Sequence, residues 1–190
     1  SHLEVRDTVE RGKTERNLVM DRLIHNRYDP DNPDDLLYEY EQVFASLTDF
    51  YVQTVVGEKR FYTLTLGGGA CLFPAYLERI YSSSWNEVIE IDPAVVRIAE
   101  DYFDVETGSR LQIITADARN FVAYAAKANR SYDIIYLDAF NSFSVPYHLT
   151  TAEFIENVSD ILNPEAVECF IRLVYQKYYD AFGRHFGKTV

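Results

Sequence analysis

Apolar and polar positions change period along the chain, and the changes divide it into elements. Leu3 to Val9 and Asn17 to Tyr28 carry short alternating apolar stretches around the polar run Glu10-Arg11-Gly12-Lys13-Thr14-Glu15. That pattern predicts a small antiparallel hairpin or meander over residues 1–30, ahead of the main domain at 31–190. Asp29-Pro30-Asp31-Asn32-Pro33-Asp34 reads as a loop from its prolines and Asx residues. Leu37, Tyr40, Phe44, Leu47 and Tyr51 then recur at spacings of three and four, which predicts a helix with Asp34 and Asp35 at its start.

Beyond this helix, strand-like and helix-like stretches alternate. Tyr62-Thr63-Leu64-Thr65-Leu66 is β-branched and apolar, meets Gly67-Gly68-Gly69, and continues as a helix through Ile80. Glu87 to Asp92 predicts a second strand, and Asp92-Pro93 opens a helix to about Phe103, with Asp as N-cap and Pro at the first helical position. Leu111 to Thr115 predicts a third strand, followed by a helix from Asp117 to about Lys127. Tyr132 to Asp138 has the continuous apolar centre of a strand buried on both faces. Thr150-x-x-Glu153 reads as a capping box that opens a helix to Leu162, with Pro164 beyond its end. Strands alternating with helices specify an α/β fold, a doubly wound and mostly parallel sheet with right-handed crossovers.

Composition narrows the partners. A 190-residue chain with 47% apolar and 25% charged residues has enough core to fold unaided. Thirty acidic residues against 18 basic ones leave a net charge of −12, which argues against a nucleic-acid surface. No apolar run reaches the ~18 residues of a membrane span, and no signal peptide is visible. Cys71 and Cys169 lack C-x-x-C spacing, so each is expected to be a thiol in a reducing compartment. A cytoplasmic protein is the expectation.

The chemistry-bearing residues fall at the carboxyl ends of the predicted strands, where ligands bind in open α/β sheets. Gly67 to Gly69 end the first strand, Glu90 and Asp92 the second, Asp117 follows the third, and Asp138 ends the fourth. Glu90 lies 21 positions after Gly69, the spacing at which a carboxylate takes ribose hydroxyls. Leu72 stands where the dinucleotide fingerprint needs a third small residue, so a nucleoside without a pyrophosphate is the expected ligand, and a nicotinamide-dependent oxidoreductase is not. Asp92 reads as a helix cap, and Asp117 as a cap or a ligand contact. Glu90 and Asp138 have no capping role and read as functional.

Leu66-Gly67-Gly68-Gly69, Glu90-Ile91-Asp92, Asp117-Ala118 and Tyr132 to Asp138 together resemble the spermidine and spermine synthases, aminopropyltransferases on the Rossmann-like class I methyltransferase fold. Weaker matches are Val19-Met20-Asp21 through His25 and the helix around Tyr40-Glu41. The resemblance implies S-adenosylmethionine or its decarboxylated form as co-substrate, without a metal. It implies Glu90 on the ribose, Asp117-Ala118 on the adenine, His25 and Glu41 toward the nucleoside or sulfonium end, and Asp138 as the catalytic group facing the transferring carbon. Tyr40, Asn141, Tyr147 and His148 are candidates for the acceptor side, His148 also as a second base.

The pattern departs from the family at Ala70-Cys71, where Asp-Gly is expected, at Asn141 in place of a second Asp, and at His25 in place of Gln. A diamine is a dication, and each charge-assisted bond to a carboxylate contributes about 1.5–3 kcal/mol. Putrescine is therefore expected to be a poor acceptor, and the acceptor stays unidentified. The segment from Asp138 to Thr151 is similar to a subgroup of spermidine-synthase-like bacterial proteins, some with a membrane-spanning region, so this chain is also readable as the soluble part of a membrane-attached protein. Closing the fold takes an antiparallel pair of strands, whereas Ala166 to Tyr175 offers one, so the closing strands are expected to be reduced or incomplete. The leading expectation is an aminopropyl or methyl transferase, with a homodimer as an open question of assembly. The rival is a non-catalytic nucleoside-sensing domain.

Overall fold

The computed structural model of the protein describes residues 2–10, 12–139 and 145–164. Asn141, Cys169 and the strand expected over 166–175 lie outside the described residues. Among the described residues seven strands form two sheets. β1 (Leu3–Glu10), β2 (Lys13–Met20) and β3 (Leu23–Tyr28) pair in sequence order as an antiparallel sheet. β4 (Phe61–Leu66), β5 (Ser84–Glu90), β6 (Leu111–Thr115) and β7 (Ile134–Leu137) form a parallel sheet in the order β6-β5-β4-β7.

The small sheet differs from the expectation in its turns. The polar run after Val9 is mostly strand, since Lys13, Thr14 and Glu15 pair with Glu10, Val9 and Thr8. The stretch Asn17 to Tyr28 is two strands around Asp21-Arg22, both in the left-handed region at φ 48° and 77°. Positive φ at both central residues matches the twist of a two-residue hairpin, but the usual sequence signal is Asn-Gly or Asp-Gly, which is absent here. β3 also carries one extra residue. Leu18 pairs with Asn26 and Val19 with Ile24, leaving His25 unpaired in a bulge. The sheet is anchored to the main domain by Tyr28, whose hydroxyl donates to Asp104 Oδ2 at 2.7 Å, and by Arg16, which donates to the Tyr102 carbonyl at 2.9 Å.

In the parallel sheet the chain runs outward from β4 through β5 to β6, then returns to place β7 on the other side of β4. The switch point, and hence the ligand crevice, lies between the carboxyl ends of β4 and β7. α2 (Leu72–Ile80), α3 (Pro93–Tyr102), α4 (Ala118–Lys127) and α5 (Ala152–Asp160) supply the crossovers and cover, starting within two residues of their expected positions. The cap of α5 is Thr151, whose Oγ1 accepts from Phe154 N–H, and not Thr150, whose hydroxyl donates to the Tyr147 carbonyl. Among the described residues no helix is long and apolar enough to cross a membrane.

α1 (Glu39–Tyr51) starts after the acidic pair expected to open it, because Asp34 is engaged by Arg79 at 2.6 Å. It runs on into a π-helical turn at Val52–Val56, ended by Gly57 at φ 61°. Phe44 is the keystone of this helix. Its ring meets Phe73 at 5.5 Å and Tyr136 at 5.3 Å, and one turn further on Thr48 shares a hydrogen bond with the Tyr136 hydroxyl at 2.6 Å. These contacts hold α1, and with it Tyr40, against β7. Phe44→Ala is expected to destabilise the protein by about 3–5 kcal/mol, the range for removing a buried aromatic ring. Equilibrium denaturation measures it, and a loss below 1 kcal/mol would show that α1 is not held by this cluster.

Candidate functional site

The loop after β4 is built so that its own backbone amides are engaged. Gly67 N–H donates to the Ile89 carbonyl at 2.8 Å, and Gly68 and Gly69 N–H both donate to Glu90 Oε2 at 3.0 Å. Ala70 N–H donates to Asn26 Oδ1 at 2.9 Å, and Cys71 N–H to the Gly68 carbonyl at 2.7 Å. Five consecutive amides therefore have protein acceptors, and none is left to cradle a phosphate, the usual work of a glycine loop. Gly67 is required for a second reason. At φ +88° a Cβ there would sit 2.5 Å from the Ala139 Cα, so only glycine lets the end of β7 come alongside.

Beside this loop lies a cavity of about 720 Å³, within the size range of small-molecule sites. It is lined by Gly67, Gly68, Gly69, Glu90, Asp117, Ala118, Asp138, Tyr40, His25 and His148, so ten of the sequence-derived candidates share one space. Its carboxylates are Asp21, Glu90, Asp92, Asp117 and Asp138, and among the described residues no lysine or arginine lines it.

Each carboxylate has a partner that fixes it. Glu90 Oε1 also accepts from Asp92 N–H at 3.0 Å, so the side chain clamps both the glycine loop and the start of α3. Asp92 caps α3 through Ala94 N–H at 2.8 Å. Asp117 caps α4 through Asn120 N–H at 2.9 Å, and its Oδ2 lies 3.6 Å from His148 Nε2, so the cap and ligand readings of Asp117 are compatible. Asp138 is held by its own N–H on the Leu66 carbonyl at 2.8 Å and accepts from the Tyr40 hydroxyl at 3.2 Å. Burial first, and then the nearby carboxylates, push the Tyr40 hydroxyl well above its ordinary range, so it stays a proton donor. Tyr38 stacks on Tyr40 at 5.6 Å and also lines the cavity. Burial pushes the His25 imidazole below its ordinary value against the pull of Asp21, Asp138 and Glu90, which leaves it neutral at neutral pH.

Two candidates stand apart. Glu41 is buried on α1 at 2% exposure and is absent from the described lining, because its neighbour Tyr40 takes the cavity-facing position of that turn. Tyr147 is 84% exposed and also absent from it, in a 3₁₀ turn (Tyr147–Leu149) that presents His148 and Leu149 to the cavity. Sequence reasoning missed Asp21, Tyr38 and, above all, Asn26. Asn26 follows a bulge, which shifts the strand's alternation and which no composition signal announces. The buried Cys71, its thiol pushed up by burial, reads as packing beneath the loop.

Glu90→Gln tests the clamp. The amide can keep one oxygen toward Gly68 and Gly69 but turns its N–H₂ against Asp92 N–H. A stability loss of about 1–3 kcal/mol is expected, the cost of an unsatisfied buried donor. Chemical denaturation measures it, and unchanged stability would mean that the carboxylate does not hold the loop.

The sequence model of the spermine/spermidine synthase domain matches residues 62–176. The polyamine aminopropyltransferase of Vibrio vulnificus is 35% identical over 122 residues, 64% of this chain and 40% of that protein. The eEF1A lysine and N-terminal methyltransferase of Bos taurus is 29% identical over 110 residues, 54% of this chain and 16% of its own length. The chain thus spans well under two thirds of either relative. Among solved structures, a probable spermidine synthase from Corynebacterium glutamicum superposes with a TM-score of 0.74 at 24% identity, covering 86% of this chain and 58% of that one. Human methyltransferase-like protein 13 in complex with SAH gives 0.62 at 22% identity, covering 67% and 62%. These likenesses establish the Rossmann-like methyltransferase fold, and the match over residues 62–176 places the chain in the spermine/spermidine synthase domain family.

Proposed function

We propose that the chain forms the nucleoside site of a group-transfer enzyme that uses S-adenosylmethionine or, preferentially, its decarboxylated form. The observation that carries this reading is the charge of the cavity. Five carboxylates line it, no lysine or arginine among the described residues does, and the amides of the glycine loop are engaged by the protein. Such a space repels phosphate and carboxylate and attracts a sulfonium cation. Both forms carry an ammonium beside the sulfonium, and the decarboxylated one lacks the carboxylate that would need a basic partner. The names of the relatives, an aminopropyltransferase and a lysine and N-terminal methyltransferase, agree with transfer of a carbon from sulfonium to an amine.

In that reaction the amine lone pair attacks the carbon attached to sulfur, the carbon–sulfur bond breaks toward sulfur, and a neutral thioether leaves. The new ammonium then loses a proton. The protein's main task is alignment of the nucleophile with the breaking bond. Asp138, at the switch point and hydrogen-bonded by Tyr40, suits the role of taking that proton. Glu90 and Asp117, one and two strands further out, suit the ribose and the adenine.

Ligand binding is the first test. S-adenosylmethionine, its decarboxylated form and 5′-methylthioadenosine are expected to raise Tm through a stabilisation of about 2.7 kcal/mol at a hundredfold excess over Kd, and the decarboxylated form most at equal concentration. A flat thermal-shift panel, or a shift with NAD alone, would overturn the reading.

Turnover is the second test. Asp138→Asn is expected to lower kcat about 10²–10⁴-fold, the range for a positioned base, while nucleoside affinity changes little. Product formation is assayed with putrescine, other amines and methyl acceptors. Putrescine is expected to be a poor acceptor, and efficient spermidine synthesis would contradict the acceptor argument. Activity that survives the substitution would remove Asp138 from catalysis.

A further inference from the structure

Leu23, Ile24, His25 and Asn26 of β3 all line the cavity, and Asn26 follows directly on the bulge at His25. Asn26 is 5% exposed, and its carboxamide has one certain orientation. A backbone N–H can only donate, so the group that meets Ala70 N–H at 2.9 Å must be the oxygen, and the N–H₂ points the other way. Among the described residues no hydrogen bond engages that nitrogen. The buried, partnerless side-chain atoms found among them are Asn17 Oδ1 and Thr65 Oγ1, so the Asn26 nitrogen is not sealed off and stays reachable. It is a fixed donor on a cavity wall whose other fixed side chains are mainly acceptors.

We propose that Asn26 is a ligand-binding residue of this site, its N–H₂ donating to an uncharged oxygen on the sugar of the bound nucleoside. The proposal rests on the nucleoside reading above and adds a contact to it. A sulfonium or an ammonium cannot accept a hydrogen bond, which leaves the neutral oxygens of the ligand. Position then selects the sugar. Glu90 holds the amides of Gly68 and Gly69 while Asn26 holds the next one, Ala70, so the two side chains grip neighbouring points of the same loop. A donor beside an acceptor is a pair suited to hydroxyls, which both give and take a proton. The adenine end belongs to Asp117, beyond β6, two strands away from the loop. Asn26 also fixes Gly69, where a Cβ would lie 2.5 Å from its Oδ1, so the same contact shapes the loop and aims the donor.

The test compares the wild type, Asn26→Asp and Asn26→Leu by calorimetry with 5′-methylthioadenosine, and with adenine as the sugarless control, at pH 8 and pH 5. Asn26→Asp keeps an acceptor for Ala70 N–H and loses the donor. Its affinity for methylthioadenosine is expected to fall about tenfold at pH 8, the scale of a lost hydrogen bond. At pH 5 the gap to wild type should narrow, because burial beside Glu90 and the other carboxylates favours the neutral form of the introduced carboxyl, which regains an O–H as it is protonated. Glu90, Asp21, Asp138, Asp117, His25 and His148 face the cavity in both proteins, so their effects largely cancel in the ratio. Asn26→Leu should be weaker at both pH values without narrowing, and adenine affinity should change little in either variant. Wild-type affinity in Asn26→Asp at pH 8, a deficit that does not narrow, or an equal loss with adenine would overturn the donor role. Absence of methylthioadenosine binding by the wild type would instead overturn the nucleoside reading on which it stands.

Discussion

The amides of Gly67 through Cys71 must each find an acceptor, and where they find it governs what this protein can bind. A glycine loop at a strand's carboxyl end ordinarily leaves its N–H groups to an anionic ligand. Here the Glu90 carboxylate takes two of them and the Asn26 carboxamide a third. A buried carboxylate without donors would be costly, and buried amides without acceptors equally so, and the two needs meet in one clamp. The consequence is electrostatic. With the loop's positive ends already neutralised, the cavity keeps the sign of its carboxylates, which suits a sulfonium.

That clamp depends on elements far apart in the chain. Glu90 arrives because β5 pairs with β4 in parallel register, Leu66 opposite Ile89, which brings the next residue level with the loop. Asp138 arrives from the other side because Gly67 carries no side chain to hold β7 away. Asn26 comes from a different sheet, whose bonds through Tyr28 and Arg16 to the region after α3 fix its position. The N-terminal strands are therefore part of the site's wall. An unanchored hairpin could not hold a carboxamide within hydrogen-bonding distance of a loop 44 residues away.

Most of the parallel sheet was legible in the sequence because its signals are local and agree with one another. Pro93 after Asp92 marks a helix start that the fold uses, and the apolar centre of Ile134 to Leu137 marks a strand covered on both faces. The site's acidic frame was legible for the same reason, since strand ends follow from strand positions. What was not legible has one kind of cause. The Asp21-Arg22 turn, the bulge at His25 and the choice of Thr151 over Thr150 as cap are settled by pairing and packing partners distant in sequence. Asn26 was invisible because its importance comes from Ala70. Glu41 was placed by resemblance and Tyr147 as a candidate acceptor-side wall, and neither is among the described residues lining the cavity.

The same geometry constrains the acceptor. Ala70 stands where the resembled enzymes carry an aspartate, and here it is fully buried with its amide tied to Asn26. An aspartate here would need the loop to shift to make room for it, because Ala70 is fully buried. On the proposed reading, the described residues on the acceptor side are Asp138 and, beside it, the stacked rings of Tyr38 and Tyr40. One carboxylate with an aromatic wall matches a single amino group on an apolar stem, because a ring face attracts a cation without fixing a second charge. A diamine would bring a second ammonium that needs its own carboxylate, and each such bond contributes about 1.5–3 kcal/mol. On the proposed reading, discrimination against a diamine follows from the way the glycine loop is held, and so from the contact that shapes the nucleoside site.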